Sequence, residues 1–161
     1  LYPHLTGVEN VDVFCRMGGQ VIAADQLLAL LERAGLTSAQ AHRRVASYSK
    51  GMRQKVGLAI AYARNARALL LDEPLSGLDP AAASEFCEEL LRIRDGGAAV
   101  LMTTHDLFRA KELGGTIGIM RAGRLVEILH APIVSSQDLE RVYLGHMRGG
   151  SPAVAEEAVF A

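Results

Sequence analysis

Two adjacent carboxylates, Asp72 and Glu73, follow the apolar run 68–71 without a break. An acid pair where a strand leaves a buried sheet is costly unless something nearby needs its charge. In an open parallel sheet, ligands bind outside the carboxyl ends of the strands. There Asp72 can hold Mg²⁺, because that cation takes a few carboxylate oxygens together with phosphate and water. Glu73 can accept the proton of an attacking water in phosphoryl transfer. The same pair also ends ordinary strand-to-helix loops, so its surroundings must decide. His105, in Thr103-Thr104-His105-Asp106 after the apolar run 98–102, is the second group. At a neighbouring strand end it could bond a terminal phosphate and position the water, although a histidine after a strand is often only a loop residue. Ser49 and Gly51, within Tyr48-Ser49-Lys50-Gly51-Met52, form the third group. At a helix start they offer a hydroxyl, free backbone N–H groups and the positive dipole end, which is an anion site. Ser and Gly also begin many helices with no ligand. Between the second and third groups, Ser76-Gly77-Leu78-Asp79 makes a polar turn before Pro80. Asp79 suits the N-cap and Pro80 the first helical position, and a capping Asp can still face a partner subunit.

These groups need elements to hold them. Apolar spacing predicts helices over about 6–17, 24–34 and 51–64, with a short polar helix over 38–46. The pattern then changes. Runs 68–71 and 98–102 read as strands buried on both faces, separated by a helix over 80–94. A brief helix over 107–113, a third strand over 116–120 and a hairpin partner over 125–129 follow. A terminal helix over 135–147, capped at Ser136, precedes the Gly/Pro/Ala-rich tail from Arg148, which is expected to be disordered. Strands alternating with helices imply a parallel sheet covered by helices. The fold class expected is therefore α/β.

Bulk properties narrow the function classes. A chain of 161 residues supports one domain with a real core. A net charge of −1 gives no electrostatic footprint for nucleic acid or an anionic membrane. Cys15 and Cys87 stand far apart in no metal-ligand spacing, so two buried small hydrophobes are expected rather than a disulfide, in a reducing compartment. No apolar run reaches the roughly 18 residues that span a bilayer, and the start has no signal-peptide layout. His4, His42, His130 and His146 lack a comparable setting and read as surface residues.

Taken in order, the motifs resemble the ATP-binding subunit of an ABC transporter. Tyr48-Ser49-Lys50-Gly51-Met52-Arg53-Gln54-Lys55 stands in the place of that family's signature motif. The run 68–74 stands for Walker B, Ser76–Pro80 for the D-loop, and Thr103–Asp106 for the switch histidine. Leu5-Thr6-Gly7-Val8-Glu9-Asn10 is similar to the segment after the family's Q-loop. The likeness spans about residues 1–145. It implies a P-loop NTPase-like parallel sheet, here partial, with an ABC-type α-helical subdomain. Residues 1–50 would be the helical signature subdomain, 51–147 the C-terminal part of the RecA-like ATPase core, and 148–161 the tail. It implies that Asp72 supports Mg²⁺, Glu73 is the general base and His105 contacts the γ-phosphate. Ser49 and Gly51 would bind the γ-phosphate of ATP held by a second ATP-binding subunit, with Lys50 adding positive charge. Ser76 and Asp79 would touch that subunit. A transmembrane permease would place the protein on the cytoplasmic face of the membrane, and no nucleic-acid partner is implied. The signature departs from the family's Leu-Ser-Gly-Gly-Gln, keeping only Ser49 and Gly51, in a form similar to export-type and ABC-2-type subunits.

One part of that machinery is absent from these residues. No Gly-x-x-x-x-Gly-Lys-Ser/Thr, which cradles the β- and γ-phosphates, occurs among them. The expectation is a truncated form lacking Walker A and the Q-loop, inactive alone and prone to self-association through exposed apolar surface. Two alternatives stay open. One is a non-hydrolysing partner that lends its signature motif to another subunit's ATP. The other is a soluble ABC ATPase without a membrane partner.

Overall fold

The computed structural model describes residues 1–148, so of the expected disordered tail all but Arg148 lies outside the described residues. The chain forms two compact units, Leu1–Thr104 and the stretch from His105 onward.

The first unit opens with three helices: α1 (Gly7–Met17), α2 (Ala24–Arg33) and the short α3 (Ser38–Ala41). Thr6 caps α1 in a reciprocal capping box with Glu9. Asn10 is fully buried yet satisfied: its amide donates to the carbonyls of Tyr2 and Thr6, and its oxygen accepts from Tyr2 N–H at 2.8 Å. The leading segment is thereby tied to α1. The expected helix over 38–46 is shorter, and the reason is visible. Val45 N–H donates to Leu5 and Ala46 N–H to Pro3, so these residues pair with the leading segment instead of continuing α3. A 3₁₀ turn over Val45–Ser47 follows, then α4 (Lys50–Ala63). Helices α1, α2 and α4 pack together around Val11, Cys15, Leu27, Leu31 and Val56. Both cysteines are buried and free, as expected.

Strand β1 (Ala68–Asp72) leads through a turn into α5 (Pro80–Asp95) and then β2 (Ala99–Thr103). The strands pair in parallel with Leu70 opposite Leu101 and Asp72 opposite Thr103. Burial on both faces does not hold for this sheet. Leu69 is buried, whereas Leu70 is 79 % and Leu101 68 % exposed. Alternation puts Asp72 and Thr103 on the same open face as that apolar pair. Helix α5 buries Phe86, Cys87, Leu90 and Ile93, and contacts β2 and α4. Tyr62 of α4 donates from its hydroxyl to Glu89 of α5 at 2.5 Å, with the Arg33 guanidinium over its ring.

The second unit comprises α6 (Leu107–Leu113), β3 (Thr116–Arg121), β4 (Arg124–His130) and α7 (Ser136–Met147). Strand β3 pairs antiparallel with β4, so the third strand extends a hairpin rather than the parallel sheet. The cap of α7 is Ser135, whose hydroxyl accepts from Asp138 N–H, and not Ser136. Leu139 and Val142 of α7 are buried, as is Ile119 of β3.

Gly7 must be glycine, because a Cβ there would stand 2.6 Å from the Tyr48 hydroxyl and 3.0 Å from the Ala41 carbonyl. Gly7→Ala is therefore expected to destabilise the chain by about 1–3 kcal/mol in urea unfolding. Gly57, in the middle of α4 with nothing within 4 Å, is the control; Gly57→Ala should stabilise by roughly 0.5–1 kcal/mol. Burial, with Glu89 beside it, pushes the Tyr62 phenol from 10.0 up to about 12. The fold favours the neutral phenol, so its stabilisation is complete below pH 10 and is lost as pH rises towards 12. Unfolding followed across that range should show a shallower alkaline decline in Tyr62→Phe than in the wild type.

Candidate functional site

At the carboxyl end of β1 the chain turns sharply. Glu73 takes a φ of 43°, a left-handed conformation unusual for a residue with a Cβ, and Gly77 a φ of 70°. Ser76 N–H donates to the Glu73 carbonyl and Leu78 N–H to that of Leu75, each at 3.2 Å. Leu75 is buried and anchors the turn from inside.

Thr103, facing Asp72 across the sheet, holds both acids. Its hydroxyl donates to Asp72 Oδ1 at 2.5 Å and accepts from the Glu73 N–H at 3.0 Å. One hydroxyl therefore orients the Asp72 carboxylate and fixes the peptide that carries Glu73. The donor set is all oxygen, a carboxylate and a hydroxyl beside an open face. That suits Mg²⁺, which keeps several waters and takes the rest of its shell from substrate phosphate. Among the described residues no group of three His, Cys, Asp or Glu side chains could enclose a metal without such help.

Ser49 caps α4, accepting from Met52 N–H at 3.2 Å and leaving its own hydroxyl proton to donate elsewhere. Tyr48 before it is buried, and its hydroxyl donates to the Gln40 carbonyl at 2.6 Å. Burial pushes that phenol up from its ordinary value. The Arg53 guanidinium donates to the Tyr48 carbonyl at 2.6 Å, holding the chain where it enters the helix. Ser49 and Lys50 are exposed. Lys50 lines an open groove of about 720 Å³ together with Leu1, Pro3, Val45, Arg53 and Gln54, so two cations stand on its wall.

The structure brings this helix start against the turn after the acids. A Cβ on Gly77 would lie 3.9 Å from Lys50 Cδ and 4.0 Å from its Nζ. One on Gly51 would lie 3.5 Å from Leu78 Cδ2 and 3.8 Å from Ala82 Cβ. Ser76 and Asp79 flank that contact, and Asp79 caps α5 by accepting from Ala82 N–H at 3.0 Å. Six expected residues (Ser49, Lys50, Gly51, Glu73, Ser76 and Asp79) thus lie on two segments packed against each other, and Asp72 ends the strand beside them. His105 is exposed and opens the second unit, two residues beyond Thr103.

Two residues went unnoticed in the sequence. Thr103 belongs to a motif that drew attention only to its histidine, and its role depends on the register of β1 with β2. Gln54 donates from Nε2 to the Pro74 carbonyl, twenty residues away in the chain. Nothing in the helical pattern marks it.

Known proteins match this chain as follows. A family described as "AAA domain, putative AbiEii toxin, Type IV TA system" matches residues 36–108. An uncharacterized ABC transporter ATP-binding protein of Bacillus subtilis, YdbJ, is 41 % identical over 77 % of this chain and 40 % of its own length. The bacitracin transport ATP-binding protein BcrA of Enterococcus faecalis is 36 % identical over 78 % of this chain and 41 % of its own. Among solved structures, the ATP-binding cassette MJ0796, a dimer bound to ADP and Pi, superposes with a TM-score of 0.71. It is 26 % identical and covers 81 % of this chain, which covers 59 % of it. A second cassette, MJ1267 in its ADP conformation, has the same TM-score at 18 % identity and shares the fold. The chain thus spans two fifths of the length of the curated relatives named here.

Thr103→Val keeps the shape but removes the hydroxyl that donates to the Asp72 carboxylate and accepts from the Glu73 N–H. The expected loss is about 1 kcal/mol in urea unfolding, with Thr103→Ser close to the wild type. Equal stability of Thr103→Val would show that the bridge contributes nothing.

Proposed function

We propose that, over the stretch it shares with these relatives, this chain is an ABC transporter ATP-binding protein and contributes one half of an ATP-hydrolysing site that powers transport across a membrane. The observation that carries this reading is the packing of the helix start at Ser49–Gly51 against the turn that follows Asp72 and Glu73. Residues 1–50 act as the helical signature subdomain and 51–147 as the C-terminal part of the ATPase core.

Each residue then has a chemical task. Glu73 accepts the proton of the water that attacks the γ-phosphorus of ATP, from a peptide that Thr103 keeps in place. Asp72, with the Thr103 hydroxyl, would hold Mg²⁺, which supplies charge neutralisation at the β- and γ-phosphate oxygens. His105 donates to the γ-phosphate and orients the water. Ser49, through its free hydroxyl proton, and Gly51, through its backbone N–H, bind the γ-phosphate of ATP held by a facing second subunit. Lys50 adds charge at that anion. Ser76 and Asp79 meet the facing subunit along the same edge. The β- and γ-phosphates are cradled by a phosphate loop that these residues do not include. A transmembrane permease places the protein at the cytoplasmic face. No helix among the described residues is long and apolar enough to cross a membrane.

The test joins the chain to a phosphate loop. Its matching residues replace those of YdbJ, and ATP turnover and ATP binding are measured in the chimera. Glu73→Gln should lower kcat by about 10²–10⁴-fold, the usual worth of a general base, while ATP still binds. A chimera that hydrolyses equally well with Glu73→Gln would remove Glu73 from the reaction. The chain alone should release no phosphate from ATP above background, and turnover abolished by Glu73→Gln in the isolated chain would contradict the half-site reading.

A further inference from the structure

Gln54 lies one turn into α4, on the face that also carries Lys50 and Gly51. Its Nε2 donates to the Pro74 carbonyl, while its Oε1 is buried without a hydrogen-bond partner. Exchanging the two ends of the amide would set Oε1 against the Pro74 oxygen, acceptor against acceptor, so the donating orientation is fixed. Such a group is held at a cost, since a buried amide oxygen without a donor is unfavourable. The carbonyl it grips belongs to the residue after Glu73, where the backbone has just passed through a φ of 43°. Pro74 has no N–H with which to tie itself down. Three contacts therefore fasten one face of α4 to the turn: Gln54 on Pro74, Lys50 along Gly77, and Gly51 against Leu78. Gln54 is the hydrogen-bonding member of the three.

We propose that Gln54 is a positioning residue that locks the Glu73–Leu78 turn to the first turns of α4, so that Ser49–Gly51 and Glu73 shift as one body. Its consequence rests on the proposed function. Ser49–Gly51 serve a nucleotide held by the facing subunit, whereas Glu73 serves the one bound beside it. A rigid link between them makes a displacement at one nucleotide reach the base at the other, through a side chain that touches neither.

The link can be read in the isolated chain without nucleotide, so failure of the ATP reading would leave this result intact. In the wild type, NMR should show a through-bond coupling from the Gln54 side-chain amide nitrogen to the Pro74 carbonyl carbon. Its absence would overturn the proposal with no variant needed. In Gln54→Met, which keeps the length but has no donor, the Pro74 carbonyl resonance should move upfield. The amides of Ser76 and Leu78 should exchange about tenfold faster, the factor one lost buried hydrogen bond is worth. Amides in α1 and α2 should keep their rates. An unmoved carbonyl resonance, or exchange that rises equally throughout the first unit, would show Gln54 to be packing only.

Discussion

The candidate site depends on one hydroxyl. Parallel pairing of β1 with β2 sets Thr103 opposite Asp72, and from there its oxygen reaches both the Asp72 carboxylate and the Glu73 N–H. A carboxylate at the end of a strand can swing, and a residue at positive φ is poised to relax. Thr103 opposes both movements through a side chain that carries no charge. The chain therefore leaves β1 at an angle that places Leu75 in the core and returns the turn towards the start of α4.

From that exit angle the rest of the first unit follows. Helix α4 must arrive with its N-terminal face towards the turn. Its direction is set upstream, where Tyr48 inserts beside Gly7 and reaches the Gln40 carbonyl, and where Arg53 closes back on Tyr48. The leading segment is held by Asn10 and pairs with residues 45 and 46. Side chains far from the acids thus decide where Ser49 points. Tyr48 stands where the Leu-Ser-Gly-Gly-Gln motif that this segment resembles has leucine, and its hydroxyl gives the segment a polar anchor as well as an apolar one.

Much of this was legible in the sequence because it is local. The helices α1, α2, α4 and α5 announce themselves by apolar spacing, and the Asp79–Pro80 start of α5 by cap chemistry. What was not legible depends on pairing between distant segments. The stretch 38–46 has helical composition, yet its end is taken up by carbonyls of residues 3 and 5. A run of four apolar residues reads as a strand buried twice over, but Leu70 and Leu101 face outward together because the helices of this unit cover only one face of β1 and β2. Thr103 and Gln54 escape for the same reason: each acts on a residue that only the folded register brings near. The motifs point to the chemistry, and the residues that hold the motifs in place must be seen.

In the function we propose, residues 49–51 and 72–79 form one packed half-site that faces nucleotide on two sides. A direct test places a cysteine at Ser49 in the chimera that carries a phosphate loop, with a second cysteine in that loop, and follows cross-linking between two copies. Cys15 and Cys87 are buried and should stay silent. The account predicts a cross-link that forms with ATP, in the Glu73→Gln background that blocks turnover, and is lost without nucleotide. A cross-link indifferent to ATP, or none at saturating ATP, would contradict it.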